Sequence, residues 1–213
     1  MPDADLSSTD SPVAQEVAAP ARKRPKPGER RVQILQALAT MLEQPGAERI
    51  TTAALAARLE VSEAALYRHF ASKAQMFEGL IEFIEQSVFT LVNQIGERET
   101  VGTQQAAKTV AMLLQFAEKN PGMTRVMVGD ALVFENERLQ QRMNQFFDKI
   151  ESTLKQSLRN VADGDGSATP SLDAQVRASM LTAFAVGRLQ RFARSGFKRA
   201  PSEHLEATLA RML

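Results

Sequence analysis

The chain of 213 residues is long enough for one or two domains, and 44% of its residues are hydrophobic, which is ample material for a core. Its net charge is only +1 and it contains no cysteine, which excludes a general polycation and excludes disulfide or thiolate chemistry. Neither a signal peptide nor a run of about 20 apolar residues is present, so neither secretion nor a membrane span is expected.

The amino-terminal segment, residues 1–27, is rich in Pro, Ala, Ser and Asp and is expected to be disordered, because such a composition buries too little apolar surface. It ends with the basic cluster Arg22-Lys23-Arg24-Pro25-Lys26. This cluster is either a solvated charge run or an arm that contacts phosphates or the minor groove. Residues 22–73 hold ten Lys or Arg against five Asp or Glu, and this local positive charge fits a DNA-binding head.

A first helix is predicted from Glu29 to Leu42, closed by Pro45-Gly46. Residues 51–73 then predict two short helices joined by a tight turn. Thr51 or Thr52 caps the first helix, and Ser62 caps the second. A Ser-x-x-Gln capping box at residues 72–75 opens the next helix.

The second short helix leaves a polar face free, and this pattern indicates a helix-turn-helix reader. Thr51 and Thr52 are predicted to hold phosphates, and Ser62, Glu63 and Ala64 to approach base edges. Glu63 would accept a hydrogen bond from cytosine, and Ala64 would contact a thymine methyl group. Tyr67, His69 and Lys73 are predicted to contact the DNA backbone. Arg68 is predicted to contact either the DNA backbone or a base edge. The alternative is a helical hairpin with ordinary surface residues.

Apolar spacing predicts further helices at about residues 72–95, 104–119, 124–129, 132–159, 172–195 and 202–213. Asn120-Pro121-Gly122 is expected to end a helix. The charged helix at 132–159 could be taken for a coiled coil, but a bundle helix is the preferred interpretation. The Asp- and Gly-rich loop at 163–170 lacks the spacing and closing glutamate of a calcium loop.

No catalytic or cofactor motif is found in the sequence. His69 and His204 lie far apart without ligand-like spacing, and no phosphate loop, nucleophile elbow or zinc motif is present. We therefore expect no enzyme activity, no metal and no cofactor.

The segment from Ile50-Thr51-Thr52-Ala53 to Tyr67-Arg68-His69-Phe70-Ala71-Ser72-Lys73 resembles the DNA-binding domain of TetR-type regulators. Within that superfamily, the chain from about Arg30 to Pro201 is similar to the nucleoid occlusion factors. The similarity is carried by 61–70, Leu80-Ile-Glu-Phe-Ile-Glu, Asn120-Pro-Gly-Met-Thr-Arg, Ala131-Leu-Val-Phe-Glu, Arg138-Leu-Gln, Arg142-Met-Asn-Gln and Arg194-Ser-Gly-Phe-Lys. One departure is Glu60, which stands where such proteins usually carry a turn glycine. A non-glycine residue at positive φ costs about 1 kcal/mol, so either the turn differs or stability is lost.

The resemblance implies an all-α, TetR-like fold of about nine helices. A three-helix helix-turn-helix domain at 28–88 would precede a helical dimerisation and partner-binding domain at 89–213. It further implies a cytoplasmic, nucleoid-associated homodimer that binds palindromic DNA sites. While DNA-bound, it would prevent assembly of the tubulin-like division protein FtsZ, so that no septum forms over the nucleoid.

Two further sets of residues follow from this resemblance. The partner surface, on the predicted helices at 72–95 and 104–119, would include Leu91, Met112, Gln115 and Lys119. The last two long helices would pair with those of a second chain through Met180, Phe184, Gly187, Leu189, Phe192, Leu205 and Leu209, whose alternative role is intramolecular core. The alternative function is a ligand-responsive repressor, with a pocket lined by Phe116, Met127, Phe134 and Phe184.

Overall fold

The structure is a computed structural model that describes residues 28–44, 49–164 and 166–213. Over these ranges it contains nine α-helices, one short 3-10 helix and no strand. The helices are α1 (Glu29–Leu42), α2 (Thr52–Arg58), α3 (Glu63–Tyr67), α4 (Lys73–Arg98), α5 (Gly102–Lys119), α6 (Pro121–Met127), α7 (Glu137–Gly164), α8 (Pro170–Arg194) and α9 (Leu205–Met212), with the 3-10 helix at Asp130–Leu132. The all-α prediction is therefore confirmed. None of these described helices is both long and apolar enough to cross a bilayer.

Helices α1 to α3 form a small unit, which we call the head, around a shared apolar centre. Ile34 and Leu38 of α1 are buried together with Leu55 of α2, Leu66 of α3 and Phe70. Most of these side chains lie on the inner face of their helix, as helical spacing predicts. The head is thus a packed platform for the short helix α3.

Helix α4 leaves the head and runs into the rest of the chain without a break over 26 residues. Its buried stripe begins with Met76 and Phe77, which pack on the head, and continues through Ile84 and Val88 to Val92. One helix therefore belongs to both parts of the molecule.

Helices α5 to α9 form the second unit, which we call the body. The long helices α7 and α8 pack against each other over much of their length, and α5 packs against both. Leu114, Phe146, Leu154 and Leu181 lie in this core, each at most 1% exposed. The core of the body is continuous with that of the head through α4.

The prediction that Asn120-Pro121-Gly122 ends a helix is confirmed, because α5 ends at Lys119 with Asn120 as its C-cap. The next helix begins earlier than predicted, at Pro121 rather than residue 124. Proline is favoured there since the first helical position needs no N–H donor. A Cβ on Gly122 would lie 2.0 Å from the carbonyl oxygen of Ala39 in α1. Glycine at this position therefore lets α6 of the body approach the backbone of the head.

The start of α7 is also corrected. The helix begins at Glu137 rather than Leu132, and the intervening chain is a 3-10 turn and a short loop. In that loop Val133 and Phe134 are 61% and 67% exposed. The other boundaries differ from the predicted ones by at most about five residues. Several predictions concern residues that the structure does not describe: the tail at 1–27 with its basic cluster at 22–26, the helix stop at Pro45-Gly46, and residue 165 of the Asp/Gly loop.

Candidate nucleic-acid interface

The turn between α2 and α3 has the geometry of a Schellman motif, closed by a residue with positive φ. The N–H of Val61 donates to the carbonyl of Ala56 at 3.0 Å, and that of Glu60 donates to the carbonyl of Ala57 at 3.1 Å. Glu60 has φ 54°, in the region that favours glycine. The sequence left open whether the turn differs or stability is lost. The turn keeps the geometry that favours glycine, so Glu60 adopts a positive φ at a cost in stability.

Three hydroxyl caps hold the ends of the reader, which we define as residues 51–73. Thr51 Oγ1 accepts from the N–H of Ala54 at 3.1 Å, and Ser62 Oγ from the N–H of Ala65 at 3.3 Å. Ser72 Oγ accepts from the N–H of Gln75 at 3.2 Å, while the Gln75 side chain accepts from the N–H of Ala71. These bonds satisfy donors that a helix start leaves unpaired. The predicted caps at these positions are present.

The outer face of α3 is open to solvent. The exposed residues are Ser62, Glu63, Ala64, Tyr67, Arg68 and His69, while Leu66 between them is buried. Within the described ranges no residue covers this face, so a duplex groove is free to approach the first turn of α3. Thr51 is exposed beside it, and Thr52 is half-buried.

Two contacts that the sequence did not predict orient reader side chains. Thr52 Oγ1 donates to Glu63 Oε2 at 2.5 Å, which ties the predicted base-contacting carboxylate to α2. Arg31 of α1 donates to the backbone carbonyl of His69 at 3.1 Å, and its guanidinium lies 4.1 Å from the centroid of the Phe70 ring. Arg31 therefore fixes the end of α3. The sequence did not predict this contact, because Arg31 and His69 are 38 residues apart.

Lys73, predicted to hold a phosphate, is engaged within the chain. Its ammonium forms an ion pair and hydrogen bond with Glu135, whose side chain is only 9% exposed, and lies 5.7 Å from the Phe77 ring centroid. The Lys73 side chain itself retains 27% exposure. A DNA phosphate would thus compete with Glu135 for this lysine.

Two further ion pairs join α4 to α7. Arg138 contacts Glu78 at 2.8 Å, and Arg142 makes two hydrogen bonds with Glu85, at 2.6 and 3.2 Å. The hydrogen bonds from Arg142 to Glu85 raise the pKa of this guanidinium, and the neighbouring carboxylates add to the effect. Together with Lys73–Glu135, these contacts form a ladder from the start of α4 along the beginning of α7.

A groove lies between the C-terminal part of α4 and the facing residues of α5. It has a volume of about 300 Å³ and is lined by Leu91, Gln94, Ile95, Arg98, Glu99, Lys108 and Met112. Two of the predicted partner residues, Leu91 and Met112, meet there. Gln115 instead lines a separate groove between α5 and α9, and Lys119 is exposed near the end of α5. The sequence did not identify Ile95, Arg98 and Lys108 as lining residues, because the facing of α4 and α5 is a tertiary feature.

The residues predicted for a dimer interface separate into two groups. Leu189, Phe192, Leu205 and Leu209 are buried within the single chain. Met180 is 50% exposed, and Phe184 and Gly187 are partly exposed. Val176 and Leu172, one turn and two turns before Met180, are exposed as well. We call the set Leu172, Val176, Met180, Ala183, Phe184 and Gly187 the α8 stripe.

The residues proposed for a ligand pocket differ widely in burial. Phe134 is 67% exposed, Met127 is buried, and Phe116 and Phe184 are partly buried against the core. Among the described residues no group of three or more His, Asp or Glu side chains could hold a metal ion.

Two family models match the chain. The one described as "Bacterial regulatory proteins, tetR family" matches residues 34–80, and "Tetracyclin repressor-like, C-terminal domain" matches residues 103–212. Among solved structures, the fatty acid degradation regulator FadR from Bacillus halodurans superposes with a TM-score of 0.70 at 15% identity, covering 87% of this chain and 95% of that one. At such identity the likeness concerns the fold alone.

Curated relatives are much closer in sequence. The nucleoid occlusion factor SlmA of Idiomarina loihiensis is 52% identical over 178 residues, which is 84% of this chain and 90% of the relative. The nucleoid occlusion factor SlmA of Aliivibrio fischeri strain MJ11 is 53% identical over 181 residues, with 84% and 92% covered. That of Vibrio vulnificus strain YJ016 is 50% identical over 182 residues, with 85% and 92% covered.

Proposed function

The chain belongs to the family of the nucleoid occlusion factor SlmA, a branch of the TetR-type DNA-binding regulators, and we propose that it inhibits FtsZ assembly while bound to palindromic chromosomal sites. It would thereby block septum formation over the nucleoid, acting in the cytoplasm. The observation that carries the DNA-binding part is the solvent-facing first turn of α3, capped by Ser62 and backed by buried Leu66. The division role rests on relatives that are 50–53% identical and named for nucleoid occlusion.

In this proposal a head of residues 28–88 binds one half-site. Ser62, Glu63 and Ala64 contact base edges, with Glu63 held toward its target by Thr52. The phosphate contacts come from Thr51, Thr52, Tyr67, Arg68, His69 and Lys73, whose positions surround α3. Because these side chains sit on a platform fixed by α1 and α4, the base contacts need little rearrangement of the backbone.

The body, residues 89–213, would join two copies through the α8 stripe. Leu172, Val176 and Met180 are the large apolar side chains that the single chain leaves half or more exposed on this helix face. Burial of such a stripe against its twofold copy removes apolar surface from water, and Gly187 permits close approach of the two helices. Two heads in fixed relation then match a palindromic site.

The α4–α5 groove is the proposed FtsZ surface. Its floor is apolar, with Leu91, Ile95 and Met112, and its rim carries Arg98 and Lys108. Lys108 is paired with Glu99, which leaves Arg98 as the cation most accessible to an acidic group of a partner. An extended segment with apolar anchors and a carboxylate fits this combination.

The test is sedimentation of FtsZ polymers with the protein, with and without a duplex that carries a bound chromosomal site. We expect polymer loss that depends on the duplex. Leu91→Asp should abolish the loss while leaving the gel shift of the duplex unchanged. Val101→Asp is the matched control, because Val101 is 53% exposed but lies at the N-cap of α5 outside the groove, where aspartate is tolerated.

Polymer loss that is the same with and without duplex, or that survives Leu91→Asp, would contradict the proposal. A genome-wide map of bound sites separates it from local repression. Many scattered sites support occlusion, whereas one or two operator sites would support a repressor.

A further inference from the structure

The most basic stretch of the described chain lies outside the head. Residues 174–202 contain six Lys or Arg and no Asp or Glu, so this segment of 29 residues carries more net positive charge than residues 22–73. A sum over residues 74–213 hides it, because the 16 Lys or Arg in that range are balanced by 16 Asp or Glu. Four of the cations, Arg191, Arg194, Lys198 and Arg199, gather at the end of α8 and in the loop that follows. We call these four the α8-end patch.

All four patch side chains are exposed. Among the described residues none of them lies within 4.0 Å of a carboxylate, although Glu203 follows the run and shares a shallow pocket with Lys198 and Arg199. The dipole of α8 favours cations in its last turn, which accounts for Arg191 and Arg194. It does not account for Lys198 and Arg199, which lie beyond the helix.

The loop that carries Lys198 and Arg199 is held in a defined shape. Ser195 Oγ accepts from the N–H groups of both residues, at 3.1 and 2.9 Å. Phe197 has φ 64°, which is unusual for a bulky residue, and its ring packs edge-on against Phe192 at 5.1 Å between centroids. The two cations therefore project from an ordered turn rather than from a free end.

This turn lies at the end of the body that faces the head. The Phe197 ring lies 5.3 Å from the guanidinium of Arg125 in α6, and α6 is the helix whose Gly122 touches the backbone of α1. Ser202, a few residues on, donates from its N–H and its hydroxyl to Glu118 at the end of α5, just before α6. The patch is thus on the same side of the body as the reader.

The patch also continues the α8 stripe. Arg191 and Arg194 follow Gly187 at intervals of four and three residues, so they share a helix face with Met180 and Gly187. If two chains pair through this stripe, as the proposed function requires, the patches of both chains meet near the twofold axis, between the two heads. Eight cations would then converge there, and the local positive potential that they create attracts a polyanion.

We infer that the α8-end patch attracts the DNA backbone between the two half-sites, so that the body as well as the heads contributes to DNA affinity. This inference rests on the proposed function, which places the duplex beneath both heads. The phosphates at the centre of a palindrome are the polyanion nearest to the twofold axis in that arrangement. The contribution is independent of base sequence and is strongly dependent on salt.

The test is the salt dependence of binding to a duplex carrying a bound site, measured by fluorescence anisotropy for two double variants, Arg191→Gln/Arg194→Gln and Lys198→Gln/Arg199→Gln. Each should weaken binding about 3- to 30-fold at low salt and flatten the slope of log Kobs against log salt by about 1 to 3, because each phosphate contact contributes roughly 0.9. Arg177→Gln is the matched control. It lies on the same helix, 14 residues before Arg191 and about 21 Å away along the axis, and should change neither quantity.

Sedimentation equilibrium of the same variants distinguishes a loss of dimer from a loss of DNA attraction. Removing like charges near the axis should leave the dimer intact. Wild-type affinity and slope in the Lys198→Gln/Arg199→Gln variant would overturn the inference, since those residues lie outside the helix that forms the stripe. If the wild-type protein bound no duplex at all, the proposed function itself would fail.

Discussion

The reader and the joint that carries it are held by different kinds of interaction. The reader is closed mainly by hydrogen bonds between residues three to five positions apart, such as the Ser62 and Ser72 caps and the turn at Glu60. The joint, by which we mean the α1–α6 contact and the α4–α7 ladder, depends on residues 57 to 83 positions apart. A reader built from local bonds can change its side chains without unfolding the body. The joint decides where that reader points.

The largest expected effect comes from breaking the joint at its closest contact. Gly122→Ala places a Cβ 2.0 Å from the Ala39 carbonyl, so α6 and α1 must separate. We expect a loss of about 3 kcal/mol or more in the free energy of unfolding, at the upper end for overpacked sites. Thermal unfolding should show a fall in Tm of roughly 6 to 12 °C.

Gly96→Ala is the control for that substitution. Gly96 lies in α4 with no atom within 4 Å of a built Cβ. Replacing a helical glycine by alanine in open space should stabilise the protein by up to about 1 kcal/mol. Equal destabilisation by both substitutions would mean that the α1–α6 contact has no special role.

The second prediction concerns the charge at the joint. Lys73→Ala should weaken binding to every duplex and reduce the salt slope by about 2 for a dimer, because one phosphate contact per chain is lost. Glu135→Gln should have the opposite sign, raising affinity about 3- to 10-fold, since it frees Lys73 from its internal partner. Both are measured by anisotropy on specific and unrelated duplexes.

Glu78→Gln is the matched control, because it breaks the neighbouring ion pair to Arg138 without touching the reader. Unchanged affinity and slope in both Lys73→Ala and Glu135→Gln would show that Lys73 serves the joint alone. Lys73 would then have no part in DNA binding, and the joint and the DNA contacts would share no residue there.

The third prediction tests the locality of the reader. Ser62→Ala removes the cap on α3 and should cost about 1 kcal/mol in the free energy of unfolding. Because the bond is local, the cost should appear as fraying of α3. Hydrogen exchange should increase at residues 63–67 while the amides of α7 and α8 remain protected. Faster exchange across the body would contradict the local character of the reader.

The smallest effect is expected at the turn. Glu60→Gly relieves a non-glycine residue at φ 54° and should stabilise the protein by up to about 1 kcal/mol, offset by the contact that the Glu60 side chain makes. Chemical denaturation measures this change. Glu60→Ala is the control, because it removes the same side chain but keeps the Cβ. Equal stability of the two variants would mean that backbone strain is negligible here.

The same contrast explains how much of the molecule could be predicted from its sequence. The caps at Thr51, Ser62 and Ser72 were predictable because each is defined by a few adjacent residues. Pro121-Gly122 was correctly predicted to end a helix, but the close approach of Gly122 to Ala39 was not, because Ala39 is more than 80 residues away in sequence. The Glu135 partner of Lys73 and the Arg31 contact with His69 were missed for the same reason. The α8-end patch was visible in the sequence but was hidden when charge was summed over residues 74–213, where basic and acidic residues are equal in number.

Helix α4 carries Lys73 at its first residue and Leu91 on its last third, without interruption. Eighteen residues of helix separate the two positions, about 27 Å, so a tilt of about 5° at the DNA end would displace the groove by about 2 Å. If the proposed function holds, the helix is a lever arm that connects the duplex to the α4–α5 groove. Binding of a chromosomal site would then change the shape of that groove directly, without a small effector.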